Sequence, residues 1–202
     1  MSLWIGEPLV LASKSVSRRA LLEAAGIPLQ LDPAEIDERA VEQSKAASAG
    51  AKEVAVLLAR EKALATAVRH KSAAVLGADQ TLALGAQRFS KPVSKDAARD
   101  QLAALSGKTH QLHSAAALAR EGKIVFEAVT TAHLTMRALS PAFIDAYLAA
   151  AGERVTKSVG CYQLEGPGIH LFEKIDGDYF TILGMPLLPL LAYFRAAGMM
   201  RA

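Results

Sequence analysis

The run Pro8-Leu9-Val10-Leu11-Ala12-Ser13-Lys14-Ser15-Val16-Ser17-Arg18-Arg19 constrains the fold most, because an apolar strand passes into hydroxyls and arginines just as a helix begins. Pro8 to Leu11 reads as a short buried strand. Ala20, Leu21, Leu22, Ala24 and Ala25 then recur at helical spacing until Gly26 supplies a stop. Ser13 or Ser15 stands near the helix N-cap. There, unpaired N–H groups and the positive end of the helix dipole favour a phosphate, and Arg18 and Arg19 can add charged donors. The same pattern also opens many ordinary helices that carry surface arginines for solubility.

The rest of the chain continues as mixed α/β. Pro28 to Leu31 reads as a strand, and Val54, Leu57, Leu58 and Ala65 keep a 3.6-residue period that predicts a helix over Ala51 to Val68. Ala73 to Asp79 reads as a buried strand ending on a carboxylate. Ser94 can cap a helix running to Leu105, which Ser106-Gly107 ends. Leu112 to Leu118 and Ile124 to Met136 form two strands joined around Glu121-Gly122-Lys123. Ser140-Pro141 opens a helix through Ala151, since proline suits the first helical turn. After a glycine-rich run, Gly160 to Gly168, a strand is expected near Ile169 to Phe172, and a last helix follows Met185-Pro186. No repeat or long linker interrupts residues 1–202, which are expected to form a single domain, or one domain with a small lobe.

Composition narrows the partners. With 51% hydrophobic and 21% charged residues the chain has the make-up of a globular protein, and no apolar stretch reaches the ~20 residues that cross a bilayer. A net charge of +3 fits a nucleotide better than it demands DNA, and no aromatic-basic signature of an RNA-binding module occurs, so no stable nucleic-acid partner and no membrane are expected. The single cysteine, Cys161, agrees with a reducing compartment, and the expected location is the cytoplasm. As a small buried side chain it is a better fit than as a nucleophile.

Several side chains could carry chemistry. Asp79 lies in Gly77-Ala78-Asp79-Gln80, among small neighbours that let a ligand approach, and could hold a divalent cation or take a proton from water; it could equally cap a turn. Leu58, Lys62 and Ala65 fall at i, i+4 and i+7, so Lys62 either snorkels to solvent or requires an anion. Lys91, fixed by Pro92, either returns to the same site or is an exposed surface lysine. Cations around an acid are what phosphate chemistry needs to offset triphosphate charge and hold a metal. Glu38, beside Asp37, reads as a solvated loop acid unless folding brings it near Asp79. The five histidines show no zinc pattern, and neither a Gly-x-x-x-x-Gly-Lys-Ser/Thr loop nor a Gly-x-Ser-x-Gly elbow occurs.

In order along the chain stand Leu11-Ala12-Ser13-x-Ser15-x-x-Arg18, Ile36-Asp37-Glu38, Arg60-Glu61-Lys62-Ala63, Gly77-Ala78-Asp79 and Lys91-Pro92. They are followed by Leu105-Ser106-Gly107-Lys108-x-His110, Glu165-Gly166-x-Gly168 and Gly184-Met185-Pro186-Leu187. In these motifs, from Leu9 to Gly198, the chain resembles the Maf family of nucleoside triphosphate pyrophosphatases. The resemblance implies a mixed α/β fold with an elongated, twisted central sheet flanked by helices, two lobes with a cleft, and frequently a homodimer. It implies hydrolysis of a nucleoside triphosphate to monophosphate and pyrophosphate with Mg²⁺ or Mn²⁺. Asp79 matches the family's catalytic acid, which activates water or holds the metal. Ser13, Arg18, Lys62 and Lys91 match phosphate-contacting positions, and Glu38 matches an acidic position linked to metal.

Gln80 and Glu165-Gly166 resemble the branch acting on 7-methyl-GTP, where the dTTP- and UTP-cleaving branch usually has threonine and Gln-Gly. A carboxylate at Glu165 can accept from the N1–H and N2 amino group of a guanine, and it would repel the carbonyl edges of uracil or thymine. Two departures bear on the base: the family's Ser-Pro pair is Ser15-Val16, and Ser17 stands where the methyl-GTP branch tends to have tryptophan. The rival expectations are a dTTP/UTP pyrophosphatase, a phosphatase that removes the terminal phosphate, and a non-enzymatic nucleotide-binding regulator of cell division.

Overall fold

The computed structural model describes residues 2–45 and 49–201. Its secondary structure begins β1 (Leu9–Leu11), α1 (Val16–Ala24), β2 (Leu29–Leu31), α2 (Glu38–Lys45), α3 (Ala51–Ala67), β3 (Val75–Leu84) and β4 (Gln87–Phe89). It continues with α4 (Lys95–Leu105), β5 (Thr109–Arg120), β6 (Lys123–Met136), α5 (Pro141–Ala151), β7 (Phe172–Asp176), α6 (Tyr179–Ile182) and α7 (Leu187–Ala196). The strands make a mixed seven-stranded sheet in the order β2-β1-β3-β5-β6-β7, with β4 pairing β3. β1 is parallel to β2 and β3, whereas β4 and β7 run antiparallel to β3 and β6.

The serines that the sequence places at helix starts cap them. Ser15, Ser94 and Ser140 accept hydrogen bonds from the N–H groups of Arg18, Ala97 and Phe143, which would otherwise lack partners in a helix's first turn. Three expectations are corrected. β3 does not end on Asp79: it runs on to Leu84, so the carboxylate lies mid-strand. Glu38 is not on a loop but is the first residue of α2, a polar helix without the apolar stripe that periodicity detects. The strand expected at Ile169 to Phe172 begins only at Phe172; Pro167–Leu171 is a 3₁₀ helix, as suits a proline with two glycines around it.

The chain divides into two compact units. The first comprises 1–80, 114–130 and 184–202, and the second 81–113 and 131–183. In the first, the alanine face of α3 (Ala55, Ala59, Ala63 and Ala67) packs on Val10, Ala12, Val75, Ala115 and Ala117. Small residues here allow close approach: a Cβ added to Gly77 would lie 2.2 Å from the Ala59 carbonyl oxygen and 2.5 Å from the Ala63 nitrogen. The second unit has a bulkier core, with Leu82, Leu102, Leu105, Leu112, Leu134, Met136 and Leu148 among its buried residues. Each fully buried leucine of this kind contributes about 1.5–3 kcal/mol.

The second unit also buries a set of polar side chains. His110 is fully buried, its Nε2 2.7 Å from the Tyr162 hydroxyl, and its Nδ1 has no hydrogen-bond partner. The Tyr147 hydroxyl donates to the Cys161 carbonyl at 2.8 Å, and the Cys161 thiol donates to Gln101 at 3.3 Å. Burial pushes the His110 imidazole down to about 4 and the Cys161 thiol up to about 12, and it raises both tyrosines. Every member is therefore neutral at pH 7. No helix among the described residues is long and apolar enough to cross a membrane.

Candidate active site

The turn after β1 is tied together by its own hydroxyls. Ser13 Oγ accepts from the Ser15 N–H and from Arg18 Nη1, both at 3.2 Å, while Ser15 Oγ caps α1. Ser15, not Ser13, is thus the N-cap. Arg18 makes two further bonds that the sequence did not signal, from Nη1 to the Ala78 carbonyl and from Nε to the Gly184 carbonyl, each 2.9 Å. Gly184 has φ +96°, and a Cβ there would lie 3.2 Å from Arg18 Nε, so a glycine suits both the backbone and the close guanidinium. Backbone carbonyls from β3 and from the segment before α7 therefore hold Arg18 beside the cradle. Burial lowers the guanidinium's pKa, with Asp79 and Glu38 opposing that shift.

Asp79, only 7% exposed, faces α3. Lys62 Nζ lies 2.6 Å from Asp79 Oδ1 and 2.7 Å from Glu38 Oε1, so one ammonium joins both acids. Of the two alternatives for Lys62, the anion holds: its side chain is only 11% exposed. Because α3 and β3 meet over alanine and glycine, the lysine reaches the strand one residue pair beyond Gly77. Burial pushes the Asp79 carboxyl up from the ordinary aspartate value; Lys62 and Arg18 pull it down, and Glu38 adds to the rise.

No group of three or more His, Cys, Asp or Glu side chains that could hold a metal ion gathers among the described residues. Two carboxylates sharing one cation do fit Mg²⁺ or Mn²⁺, hard ions that bind through one or two carboxylates and complete their shell with water and substrate phosphate oxygens. Asp79 and Glu38 are the residues that would hold such an ion.

The structure brings together Ser13, Arg18, Glu38, Lys62 and Asp79, all in the first unit. Gln80, next along β3, projects to the opposite face from Asp79, and its amide donates to Ser114 Oγ at 2.9 Å. Lys91 and Glu165 belong to the second unit, where both are exposed, Lys91 after β4 and Glu165 in a turn before the 3₁₀ segment Pro167–Leu171. Just after that turn, Gly168 packs against the Gln163 backbone, where an added Cβ would lie 2.4 Å from its carbonyl oxygen. The high pKa of buried Cys161 leaves it an inert thiol.

A protein family described as Maf-like protein matches residues 8–197. A nucleoside triphosphate pyrophosphatase of Rhodopseudomonas palustris (strain BisB18) is 55% identical over 196 residues, 96% of each chain. A 7-methyl-GTP pyrophosphatase of Brucella abortus biovar 1 is 55% identical over 188 residues, 93% of this chain and 94% of that one. Among solved structures, a HAM1 protein from Coxiella burnetii is similar with a TM-score of 0.43 and 17% identity, over 65% of this chain and 73% of that one. With a family match that runs nearly from end to end and relatives above half identity, the chain belongs to the Maf-like protein family.

Proposed function

We propose that the protein is a nucleoside triphosphate pyrophosphatase, which cleaves its substrate to the monophosphate and pyrophosphate. The observation that carries this reading is the buried Asp79 carboxylate held against Lys62, with Arg18 and Glu38 beside it. The names of relatives above half identity support it.

The oxygen of a water attacks the α-phosphorus, the bond from that phosphorus to the bridging oxygen breaks, and pyrophosphate leaves. Asp79 accepts the proton that the attacking water loses, a task suited to a carboxylate whose proton affinity burial has raised. Lys62 offsets the charge that grows on the phosphate oxygens, and its two carboxylate contacts fix where its ammonium stands. Ser13, Ser15 and the first turn of α1 present donors to a phosphate, with Arg18 lending charge. A bound Mg²⁺ or Mn²⁺ would neutralise phosphate charge and make its water more acidic. Lys91 is assigned to the phosphates as well.

For the base we favour a guanine, with 7-methyl-GTP as the candidate. A carboxylate at Glu165 accepts from the guanine N1–H and N2 amino group, and a methylated, positively charged purine strengthens that attraction. A Brucella relative bearing the 7-methyl-GTP name is 55% identical.

The test is a panel of UTP, dTTP, CTP, GTP and 7-methyl-GTP with Mg²⁺ or Mn²⁺, scoring pyrophosphate separately from orthophosphate. Pyrophosphate from 7-methyl-GTP, lost in Asp79→Asn, is expected. Orthophosphate alone would make the protein a terminal phosphatase, and no product from any nucleotide would favour a binding regulator.

A further inference from the structure

The segment that delivers Glu38 is pinned to α3 at a second place, outside the site described above. Asp32, the residue after β2, carries the sheet one step further by donating its N–H to the Leu11 carbonyl at 3.2 Å. Its carboxylate takes Arg69 through two bonds, Nε at 3.0 Å and Nη2 at 2.7 Å, and lies 2.6 Å from His70 Nε2. Its carbonyl accepts from the hydroxyl of Thr66, which is fully buried. Thr66 lies in the last turn of α3, about one turn beyond Lys62, and Arg69 and His70 follow just past its end. The Arg69 bonds draw the Asp32 carboxyl down to about 2.

From this anchor the chain runs six residues to Glu38. Along the way Ala34 packs against the α3 alanine face and Ile36 against Val54 and Leu58. Asp37 then caps α2, accepting from the Ala40 N–H at 3.1 Å. The segment is thus tied to α3 at both ends, by Asp32 and by the Glu38 contact to Lys62. Glu38 is half exposed and opens a polar helix whose Val41 packs, like Ile36, against Val54 and Leu58.

We propose that Asp32 is a positioning residue, which anchors the 32–38 segment on the end of α3 so that Glu38 is presented beside Lys62 and Asp79. The role given to Glu38 rests on the function proposed above; the anchor itself does not. Groups that orient metal-binding side chains from behind change metal affinity by about 10–100-fold when lost.

Two readouts test it without turnover. In Asp32→Ala the amide protons of Ala40 and Val41 are expected to exchange with solvent at least tenfold faster at unchanged far-UV circular dichroism; unchanged exchange overturns the proposal. Calorimetric titration of the protein with Mn²⁺ then compares Asp32→Ala, Glu38→Gln and the double variant. Each single change is expected to weaken binding about tenfold, with the double variant no weaker than either one, since both remove the same contact. Independent, multiplying losses overturn the proposal, as does Mn²⁺ affinity that Glu38→Gln lowers and Asp32→Ala does not. Faster amide exchange with Mn²⁺ affinity unchanged in every variant supports the anchor and removes Glu38 from the metal, a failure of the functional reading alone. Should Asp32→Ala not fold, Arg69→Leu takes away the paired bonds from the exposed end of α3, and about threefold faster exchange at the same amides is expected; no change there overturns the anchor.

Discussion

Each unit has one prominent polar cluster, and the two clusters are built differently. In the first, Asp79, Lys62 and Glu38 keep charged partners within 2.7 Å of one ammonium. In the second, His110, Tyr162, Tyr147 and Cys161 make no ion pair among the described residues, and burial keeps them neutral. An ion cluster out of water is costly and adds little net stability, while a neutral hydrogen-bonded set is cheaper and stiffens a core. On the function proposed above, the contrast separates groups kept for chemistry from groups kept for shape.

The sharpest way to break this contrast is Asp79→Asn. Pyrophosphate release should fall by about 10²–10⁴-fold, the range for a lost general acid or base. Thermal unfolding should change little, because Lys62 keeps its contact to Glu38 while a costly buried carboxylate is removed. A large drop in melting temperature would place Asp79 among the structural groups. The wild-type rate should also fall on the acid side at a pH above the ordinary aspartate range, since burial raises the carboxyl that must be ionised; an acid limb at or below that range contradicts the assignment.

A second test acts on the neutral set. His110 titrates near 4 in the folded protein against about 6.5 in an unfolded chain, so the unfolded state takes up the proton first as pH falls. Its contribution is fully present above pH 6.5 and is lost between there and pH 4, about 3 kcal/mol in all. Urea unfolding at pH 7 and pH 4.5 should show this slope in the wild type and lose it in His110→Gln. The smallest effect belongs to Tyr147→Phe, which leaves the Cys161 carbonyl without its donor and should cost about 1–3 kcal/mol of stability with turnover unchanged. Turnover falling in step with stability would erase the distinction between the two sets.

Legibility in the sequence followed the physics of each element. The turn before α1, helix α3 and the β5–β6 hairpin were readable, because apolar periodicity and capping serines are local signals. Helix α2 was not, since Glu38 to Lys45 lacks an apolar stripe, and β3 was cut short where Gln80 and Thr81 interrupt its apolar run. The site shows the same limit. Lys62 on an apolar stripe left solvent or an anion open, and which of the two held depended on α3 lying over β3. Arg18 was visible as a cation; the Ala78 and Gly184 carbonyls that hold it were not, because a backbone acceptor leaves no trace in residue type. Asp32, 37 residues from its Arg69 partner, stood out by nothing local.

The seam of Ala59, Ala63 and Gly77 has a consequence for how such a chain changes over generations. The gap it leaves works as a ruler, setting how far a lysine on α3 extends across the strand. One methyl group at position 77 would meet the helix backbone itself, which has no rotamer by which to yield. Drift at this seam must therefore come as paired changes on helix and strand. A lineage that widened the gap would keep every side chain of the candidate site and still lose the interval that sets them side by side.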